Sequence, residues 1–526
     1  MTATNELRRW PWYRAHLPRR RGTAAACGTL LLVAALGVLA IPASAAGQGV
    51  SAWGANTYGE LGDGTTTNQP SPVGVVGLGA GSGVTSVVAA GRHSLAIKSG
   101  GVLAWGHNVN GELGNGSTTN SSTPVQVTGL GSGSGVTKVS GNAPLLSGSS
   151  GHSLALKSDG TVLAWGNNGS GELGNGTTTD QHTPVQASGL GAGSGVNAIA
   201  AGGDFSLALK SDGTVLSWGH DASGQLGYTT TTTCGSITPS PCKTTPTVIP
   251  GLSGVKAIAA GAAFSLALKS DGSVLAWGHN ASGQLGIGSA DTNPHFTPTT
   301  VTGLGAGSGV VSLGAGGAHV LVLKSNGGVL GWGNNNSGEV GNGLTTDQFT
   351  PVGVVGLSSG VSSVSAGFSH SVALKSDGSV LAWGHNASGQ LGIGTFDANA
   401  HPTPLGVTGL GAGSGVMVLA AGGFHTLILV APAPTVSVSP TSGPPGQHVT
   451  ISGAHFGLNE MVKVTYKTGL VSPPKVTLCT VTTNGSGTFS CSAVIPTTNA
   501  GPTGSHKLAA KGLTSLLKAK TTFTLT

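Results

Sequence analysis

Seven copies of the dipeptide Trp-Gly, at Trp53, Trp105, Trp165, Trp218, Trp277, Trp332 and Trp383, punctuate the chain at intervals of 52, 60, 53, 59, 55 and 51 residues. A period near fifty with strand-like sequence in each copy marks a propeller or a related array and not a helical solenoid. Upstream of six of these Trp residues lies a second motif, clearest from Gly151 to Gly166. There Ser-Leu-Ala-Leu and Thr-Val-Leu-Ala-Trp alternate with period two around Ser158-Asp159-Gly160. That pattern is a β-hairpin whose turn supplies the positive-φ residues. The turn recurs at Ser211-Asp212-Gly213, Ser270-Asp271-Gly272 and Ser376-Asp377-Gly378, and drifts to Ser99-Gly100-Gly101 and Ser325-Asn326-Gly327.

The two ends of the array complement each other. Gly49-Val50-Ser51-Ala52-Trp53-Gly54 is a Trp strand with no Ser-Leu-Ala-Leu strand before it, and the last such strand, from Gly423 to Val430, has no Trp strand after it. An open array would leave both sheet edges unpaired, whereas a ring that joins the two orphans satisfies their backbone groups. The expectation is a closed seven-bladed β-propeller over residues 47–430. Ninety-three glycines and only 8% charged residues would otherwise mark an unfolded chain, but 38% apolar content suffices for packed sheets.

These repeats resemble those of the regulator of chromosome condensation family, which also includes the bacterial β-lactamase-inhibitor protein, from residue 49 to residue 431. The carriers are Ala-Ala-Gly with His-Ser-Leu-Ala-Leu (Ala89 to Ile97 is one variant), Asp-Gly, Ala-Trp-Gly, and then Gly-Glu-Leu-Gly or Gly-Gln-Leu-Gly, as at Gly111 to Gly114 and Gly224 to Gly227. The resemblance implies a propeller used as a protein-binding surface.

The net charge of +6 invites a nucleic-acid reading until it is divided by region. Residues 1–21 carry six Arg and one Glu, residues 49–431 carry ten Lys or Arg against fifteen Asp or Glu, and residues 432–526 carry seven Lys and one Glu. The propeller is therefore mildly acidic, and no nucleic-acid partner is expected on its face. The basic start, an apolar run through Leu30-Leu31-Leu32-Val33-Ala34-Ala35 and the small residues Ala43-Ser44-Ala45-Ala46 read as an export signal over residues 1–46. The rival is an uncleaved anchor, since the uncharged stretch from Gly22 to Ile41 is long enough to span a bilayer. After cleavage no membrane span remains.

Four cysteines then form two local pairs, Cys234 with Cys242 and Cys479 with Cys491, expected as disulfides in an oxidising compartment. The first would pin an insertion from Tyr228 to Val248, the second would join neighbouring strands of a hairpin around Asn484-Gly485. Metal ligation is the alternative, which the Cys-x7-Cys spacing does not favour. Past a Pro-rich linker, residues 431–435, turn-separated strands over residues 436–526 read as a small β-sandwich. The stretch from Ser439 to Gly457 resembles immunoglobulin-like modules of exported bacterial proteins. The strands expected there are Val436–Val438, Gln447–Ile451, Met461–Tyr466, Lys475–Val481, Thr488–Cys491 and Thr522–Leu525.

Candidate site residues must be weighed against packing. One Trp per blade at a fixed strand position is a structural residue. His93, His152, His319, His370 and His425 occupy equivalent positions, but Phe205 and Phe264 break the ring, so hydrogen-bonded structural His is preferred over a metal site. His107, His220, His279 and His385, which follow Trp-Gly, read as loop residues. The Leu-Gly-Asn-Gly loops are too poor in acidic residues for calcium. No catalytic motif stands out from the repeats, so no catalytic residue and no cofactor is assigned. Recognition is expected where copies diverge. The candidates are the insertions at residues 142–149, with Leu145 and Leu146, and from Tyr228 to Val248, and the loop aromatics Tyr58, Tyr228, Phe296, Phe349 and Phe396.

The reading is an all-β protein, a seven-bladed propeller followed by a β-sandwich. It is an exported, monomeric, non-enzymatic scaffold at the cell surface or outside the cell, gripping a protein partner with one propeller face. Nucleotide exchange on a nuclear GTPase does not carry over to an exported chain, and the β-lactamase inhibitor's contact residues find no match in these loops. Two alternatives are a secreted glycan-binding lectin or carbohydrate-active enzyme, and a cell-wall adhesin whose Lys507, Lys511, Lys518 and Lys520 contact an anionic wall polymer.

Overall fold

The strand that opens the array pairs with the strand that ends it. In the computed structural model, which describes residues 49–143, 151–235, 239–456, 459–484 and 487–526, Gly49–Gly54 runs antiparallel to His425–Val430, with Gly49 opposite Val430 and Gly54 opposite His425. One sheet is thus assembled from both ends of the array, in the order Gln69–Gly79, Gly49–Gly54, His425–Val430, Val416–Ala421. Six further antiparallel sheets follow in sequence, and the ring has seven blades. We number the closing sheet blade 1 and the rest blades 2 to 7. No helix occurs among the described residues. The expected export signal and the candidates Leu145 and Leu146 lie outside them.

Each blade's four strands are A to D from the inside out. The A strands touch one another around the whole ring, which places them at the axis. A–B turns and C–D loops share one face, here the upper face. The Ser-Asp-Gly hairpins and the Gly-rich D–A connections lie on the lower one. On the lower face the aspartates cap their own turns, as where Asp159 Oδ1 accepts the Thr161 N–H at 2.9 Å.

The core is divided into wedges between blades, seven of which hold one fully buried Trp each. Burying an indole contributes roughly 4–6 kcal/mol before entropic costs. Each indole is also locked to the preceding blade. Trp105 Nε1 donates to the Glu60 carbonyl at 2.8 Å, Trp165 to Glu112 at 2.8 Å, Trp218 to Glu172 at 2.7 Å, and Trp277 to Gln225 at 2.9 Å. Trp332 donates to Gln284 at 3.0 Å and Trp383 to Glu339 at 2.8 Å. Trp53 completes the circle on Gln390 at 2.9 Å, across 337 residues of sequence. The acceptor is always the Glu or Gln of the Gly-Glu/Gln-Leu/Val-Gly motif. The motif's last glycine lies against the same indole. At Gly62, φ is +68° and an added Cβ would sit 2.7 Å from Trp105 Nε1, so only glycine fits.

The C-terminal strands form two sheets, one of Thr435–Ser439, His448–Ala454 and Phe489–Val494, the other ordered Ser442–Gly443, Lys518–Leu525, Gly504–Gly512, Met461–Lys467, Lys475–Thr482. Their inner faces share a core that includes Val449, Ile451, Tyr466, Leu508 and Phe523. Two expectations need correction. Gly504–Gly512 is a strand although Ala, Lys and Gly are poor strand formers, because His506, Leu508 and Ala510 alternate inward. Cys479 and Cys491 are bonded, with Cα atoms 6.7 Å apart, but they stand in different sheets. The bond therefore crosses the sandwich instead of bracing a hairpin. Cys234–Cys242 closes the blade 4 insertion, where Thr233–Cys234 adds a short strand beyond Ser240–Val248.

Candidate functional site

The B strand of each blade opens with the pair His-Ser or a variant of it, and this pair builds a ring of polar contacts between blades. His425 Nε2 meets Ser94 Oγ at 2.9 Å, His93 meets Ser153 at 2.8 Å, and His152 meets Ser206 at 2.9 Å. His319 meets Ser371 at 2.9 Å, and His370 meets Thr426 Oγ1 at 3.0 Å. The serine hydroxyls of Ser94, Ser153, Ser206, Ser265 and Ser371 donate to the same Glu or Gln carbonyls that hold the Trp residues. Each imidazole facing such a serine must therefore donate its Nε2 proton and leave the hydroxyl oxygen as acceptor. Burial holds all five imidazoles neutral, with pKa values pushed down to about 3. The ring is a structural fastening. Where Phe264 replaces His, Val320 replaces its Ser partner, and the two pack in one wedge.

The histidines after Trp-Gly are also fastenings, and the loop reading is corrected for two of them. His220 ends strand Val215–His220, and His279 lies within strand Val274–Asn280. The Nδ1 atoms of His220, His279 and His385 face the Gln225, Gln284 and Gln390 amides at 2.8–2.9 Å, and His107 Nδ1 meets Glu112 Oε1 at 2.8 Å. The nearby Asn residues hold their C–D loops in the same way. Asn168 Nδ2 donates to the carbonyls of Thr177 and Thr179, and its N–H is capped by Asp180.

With these roles assigned, divergence concentrates at the upper mouth of the channel, at the two positions just before the B strand. Backbone hydrogen bonds link the A–B turns of neighbouring blades, among them Gly91 to Asn142, Gly317 to Gly367 and Gly423 to Ala90. The side chains there differ from blade to blade. Phe368 of blade 7 and Phe424 of blade 1 are half-buried, with ring centroids 5.5 Å apart. In blades 5 and 6 the same positions hold only Ala262, Ala263, Gly317 and Ala318. Blades 1 to 4 form a polar sector. The Arg92 guanidinium stands 5.4 Å from the Tyr58 ring centroid and donates to its hydroxyl at 3.2 Å. Tyr58 stacks edge-on against His107. Asn110 Nδ2 reaches Asp180 Oδ2 at 2.9 Å.

In the blades that carry Glu60, Glu112 and Glu172 the motif carboxyl lies near the residue preceding the next blade's B strand. Glu60 faces Arg92, whose charge moderates a carboxyl pKa raised by burial. Glu172 faces Asp204 instead. Burial and the neighbouring Asp204 carboxyl hold Glu172 well above the usual range, and burial raises Asp204 to about 6. Glu172 also accepts the Ser170 N–H at 2.9 Å, which stabilises its charged form in part.

Among the sequence candidates, only Tyr58 joins this constellation. Tyr228 packs into the blade core and donates its hydroxyl to the Ser217 carbonyl, so it is a plug. Phe296 and Phe349 are in strands, not loops, at equivalent places in Asp291–Thr300 and Gln348–Gly353. Phe349 seals against Gly283 of the next-door blade. Phe396 is half exposed in the blade 7 loop. Phe368, Phe424, Arg92 and Asp204 were missed. The available signal was that the two positions before the B strand hold Phe, Arg, Asp, Ala, Ser or Gly in otherwise matching copies.

The fold and this mouth define a closed seven-bladed propeller built of Trp-locked repeats. The RCC1-like domain matches residues 142–433, and the regulator of chromosome condensation (RCC1) repeat matches residues 49–97 and 99–143. The chain belongs to the RCC1-like propeller family. It is 31% identical over 351 residues to the ultraviolet-B receptor UVR8 of Arabidopsis thaliana, covering 66% of this chain and 75% of that protein. It is also 31% identical over 393 residues to the E3 ubiquitin-protein ligase HERC2 of Homo sapiens, covering 73% of this chain but only 8% of HERC2. Among solved structures, Prp20p from Saccharomyces cerevisiae is similar with a TM-score of 0.58 and 25% identity, over 73% of this chain and 92% of that one. Human WBSCR16 shares the fold with a TM-score of 0.60 and 24% identity, over 73% and 99%.

Proposed function

We propose that this chain is an exported, non-enzymatic binding protein that grips a protein partner with the upper mouth of its propeller. The observation that carries the reading is the divergence of the A–B turns, where Phe368, Phe424, Arg92 and Asp204 replace the small residues of blades 5 and 6. Half-exposed aromatics beside charged groups are the composition of binding hot spots. Family use supports a protein as ligand. Yeast RCC1 (Prp20) has been solved bound to Kap60, and Prp20p is described by its binding to Gsp1p and histones. The basic, apolar and Ala-x-Ala segments at the start of the chain and the two disulfides support export. The C-terminal sandwich, which resembles an immunoglobulin-like module, serves as a spacer.

The chemistry favours a partner segment with an apolar side chain for the Phe368–Phe424 pair and a Lys or Arg for Asp204 and Glu172. Capture from culture medium and envelope extracts tests it, comparing the wild type with Phe368→Ser/Phe424→Ser, with Asp204→Lys, and with the lower-face control Asp212→Asn. A protein retained by the control and lost by both mouth variants is expected. Equal recovery by all four chains would reject the mouth as the recognition surface.

A further inference from the structure

All seven lysines of residues 432–526 lie on one exposed sheet face. In Met461–Lys467, Gly504–Gly512 and Lys518–Leu525 the alternate residues Val462, Val464, Leu508, Ala510, Ala519 and Phe523 point into the core. Lys463, Lys467, Lys507, Lys511, Lys518 and Lys520 therefore project outward, and Lys475, which pairs with Lys467, joins them. The register sharpens this. Lys463 is directly opposite Lys511, and Lys511 directly opposite Lys518, so three ammonium groups share one rung across three adjacent strands. With strands ~4.8 Å apart, that row spans about 10 Å, and Lys507 lies about 13 Å along the strand from Lys511.

Nothing internal balances this face. The module's single acidic residue, Glu460, is buried and accepts hydrogen bonds from the backbone of Thr514 and Ser515. Among the described residues none of the seven lysines has a carboxylate within 4.0 Å. Like charges directly opposite on a sheet destabilise it. Edge protection explains lysines only on sheet edges, which here means Lys475 on the outer strand and Lys518 and Lys520, which lie beyond the two residues paired with Ser442–Gly443, whereas Lys463 and Lys511 stand on strands paired on both sides. The arrangement therefore opposes folding and calls for an external anion.

We propose that this face binds a linear polyol-phosphate chain of the cell envelope. Lysine presents a rotatable point charge suited to phosphates that turn along a flexible backbone, and the module has no Arg, whose planar fork would hold a phosphate or carboxylate in one fixed bidentate geometry. Between the lysines the face carries Thr465, Thr477, Thr480 and Thr522, with no aromatic on which nucleic-acid bases would stack. The polymer's identity rests on the export reading above, but the binding itself is independent of it and of what the propeller grips.

The test is binding of the full chain to immobilised poly(glycerol phosphate) as salt is raised, with duplex DNA and phosphatidylglycerol vesicles as competing ligands. Lys463→Gln/Lys511→Gln/Lys518→Gln should lose at least tenfold in affinity. It should also flatten the log–log salt dependence by about 2, at roughly 0.7 per lysine removed. A control triple, Lys210→Gln/Lys269→Gln/Lys324→Gln on the propeller, and the mouth variant Phe368→Ser/Phe424→Ser should bind as the wild type does. Lys511→Glu should melt at a higher temperature than the wild type and still lose binding, which separates binding loss from misfolding. Unchanged binding by the triple variant, no binding by the wild type, or a wild-type preference for DNA or vesicles would overturn the proposal.

Discussion

Acidification should loosen the propeller through its ring of buried imidazoles. His93, His152, His319, His370 and His425 are held near a pKa of about 3, against 6.5 when the chain unfolds. The unfolded state therefore takes up these protons first, and the stability that neutral burial preserves above pH 7 is lost as pH falls through 6.5. Between pH 7 and pH 5 each imidazole costs about 2 kcal/mol, or roughly 10 kcal/mol for five. Asp204 and Asp221 act in the opposite sense, because folded carboxyls raised to about 6 take up protons before unfolded ones near 3.8. They return about 1 kcal/mol each over the same interval, while His220 and His279, held down to about 4 by burial, add to the loss, so the change on acidification is a loss of several kcal/mol. That is comparable with the whole stability of an ordinary domain. The assay is denaturant unfolding at pH 7, 6 and 5 at constant ionic strength. The sharper form uses His319→Phe/Ser371→Val, which copies the Phe264 and Val320 pair. The Glu339 carbonyl keeps its bond from Trp383, so the fold should persist, and the loss from pH 7 to pH 5 should shrink by about 2 kcal/mol. Stability that is flat or rises toward pH 5, or an unchanged pH slope in the variant, would refute the reasoning.

The indole locks predict an unequal pair of substitutions. Trp332→Phe orphans the Gln284 carbonyl, because Val320 stands where other blades place Ser, whereas in Trp383→Phe the Glu339 carbonyl retains Ser371. The first should exceed the second by about 1–2 kcal/mol in urea unfolding, and equal costs would contradict the shared-acceptor geometry. A chain beginning after Gly54 loses Trp53 and the closing pairs with His425–Val430. It should elute as aggregates or oligomers and melt well below the intact chain, and a monomer as heat-resistant as the original would rule out closure as the source of stability.

The architecture was legible because it is periodic and because its ends are complementary, as Gly49–Gly54 and His425–Val430 show. What periodicity hides is contact between copies. The Trp indole, the B-strand hydroxyl and the motif carbonyl look like three separate conserved-pattern residues within a repeat, yet they meet only across blade boundaries. Sheet partnership was equally opaque in the sandwich. The alternation of Lys507 to Lys511 was masked by Ala and Gly, and the charged rung with Lys463 and Lys518 exists only once the register is known. The aromatics singled out by size alone were mostly seals, because a large apolar side chain in a Gly-rich array is drawn first to gaps such as the one at Gly283.

The seven copies also serve as substitutions of one another, and this separates packing from function. Where blade 5 gives up the imidazole, blade 6 gives up the hydroxyl it would have met, and where Phe205 stands in blade 4, Ser265 remains because it still serves the Gln225 carbonyl. Such compensations show that the interior positions answer to their neighbours. The mouth position does not. Arg92 is balanced by Glu60, but Asp204 sets a second carboxyl against Glu172, and both carboxyls are pushed toward protonation. Ala263 and Ala318 show that the fold accepts a small neutral residue there at no electrostatic cost. Asp204→Ala should therefore stabilise the propeller at pH 7 while weakening partner capture.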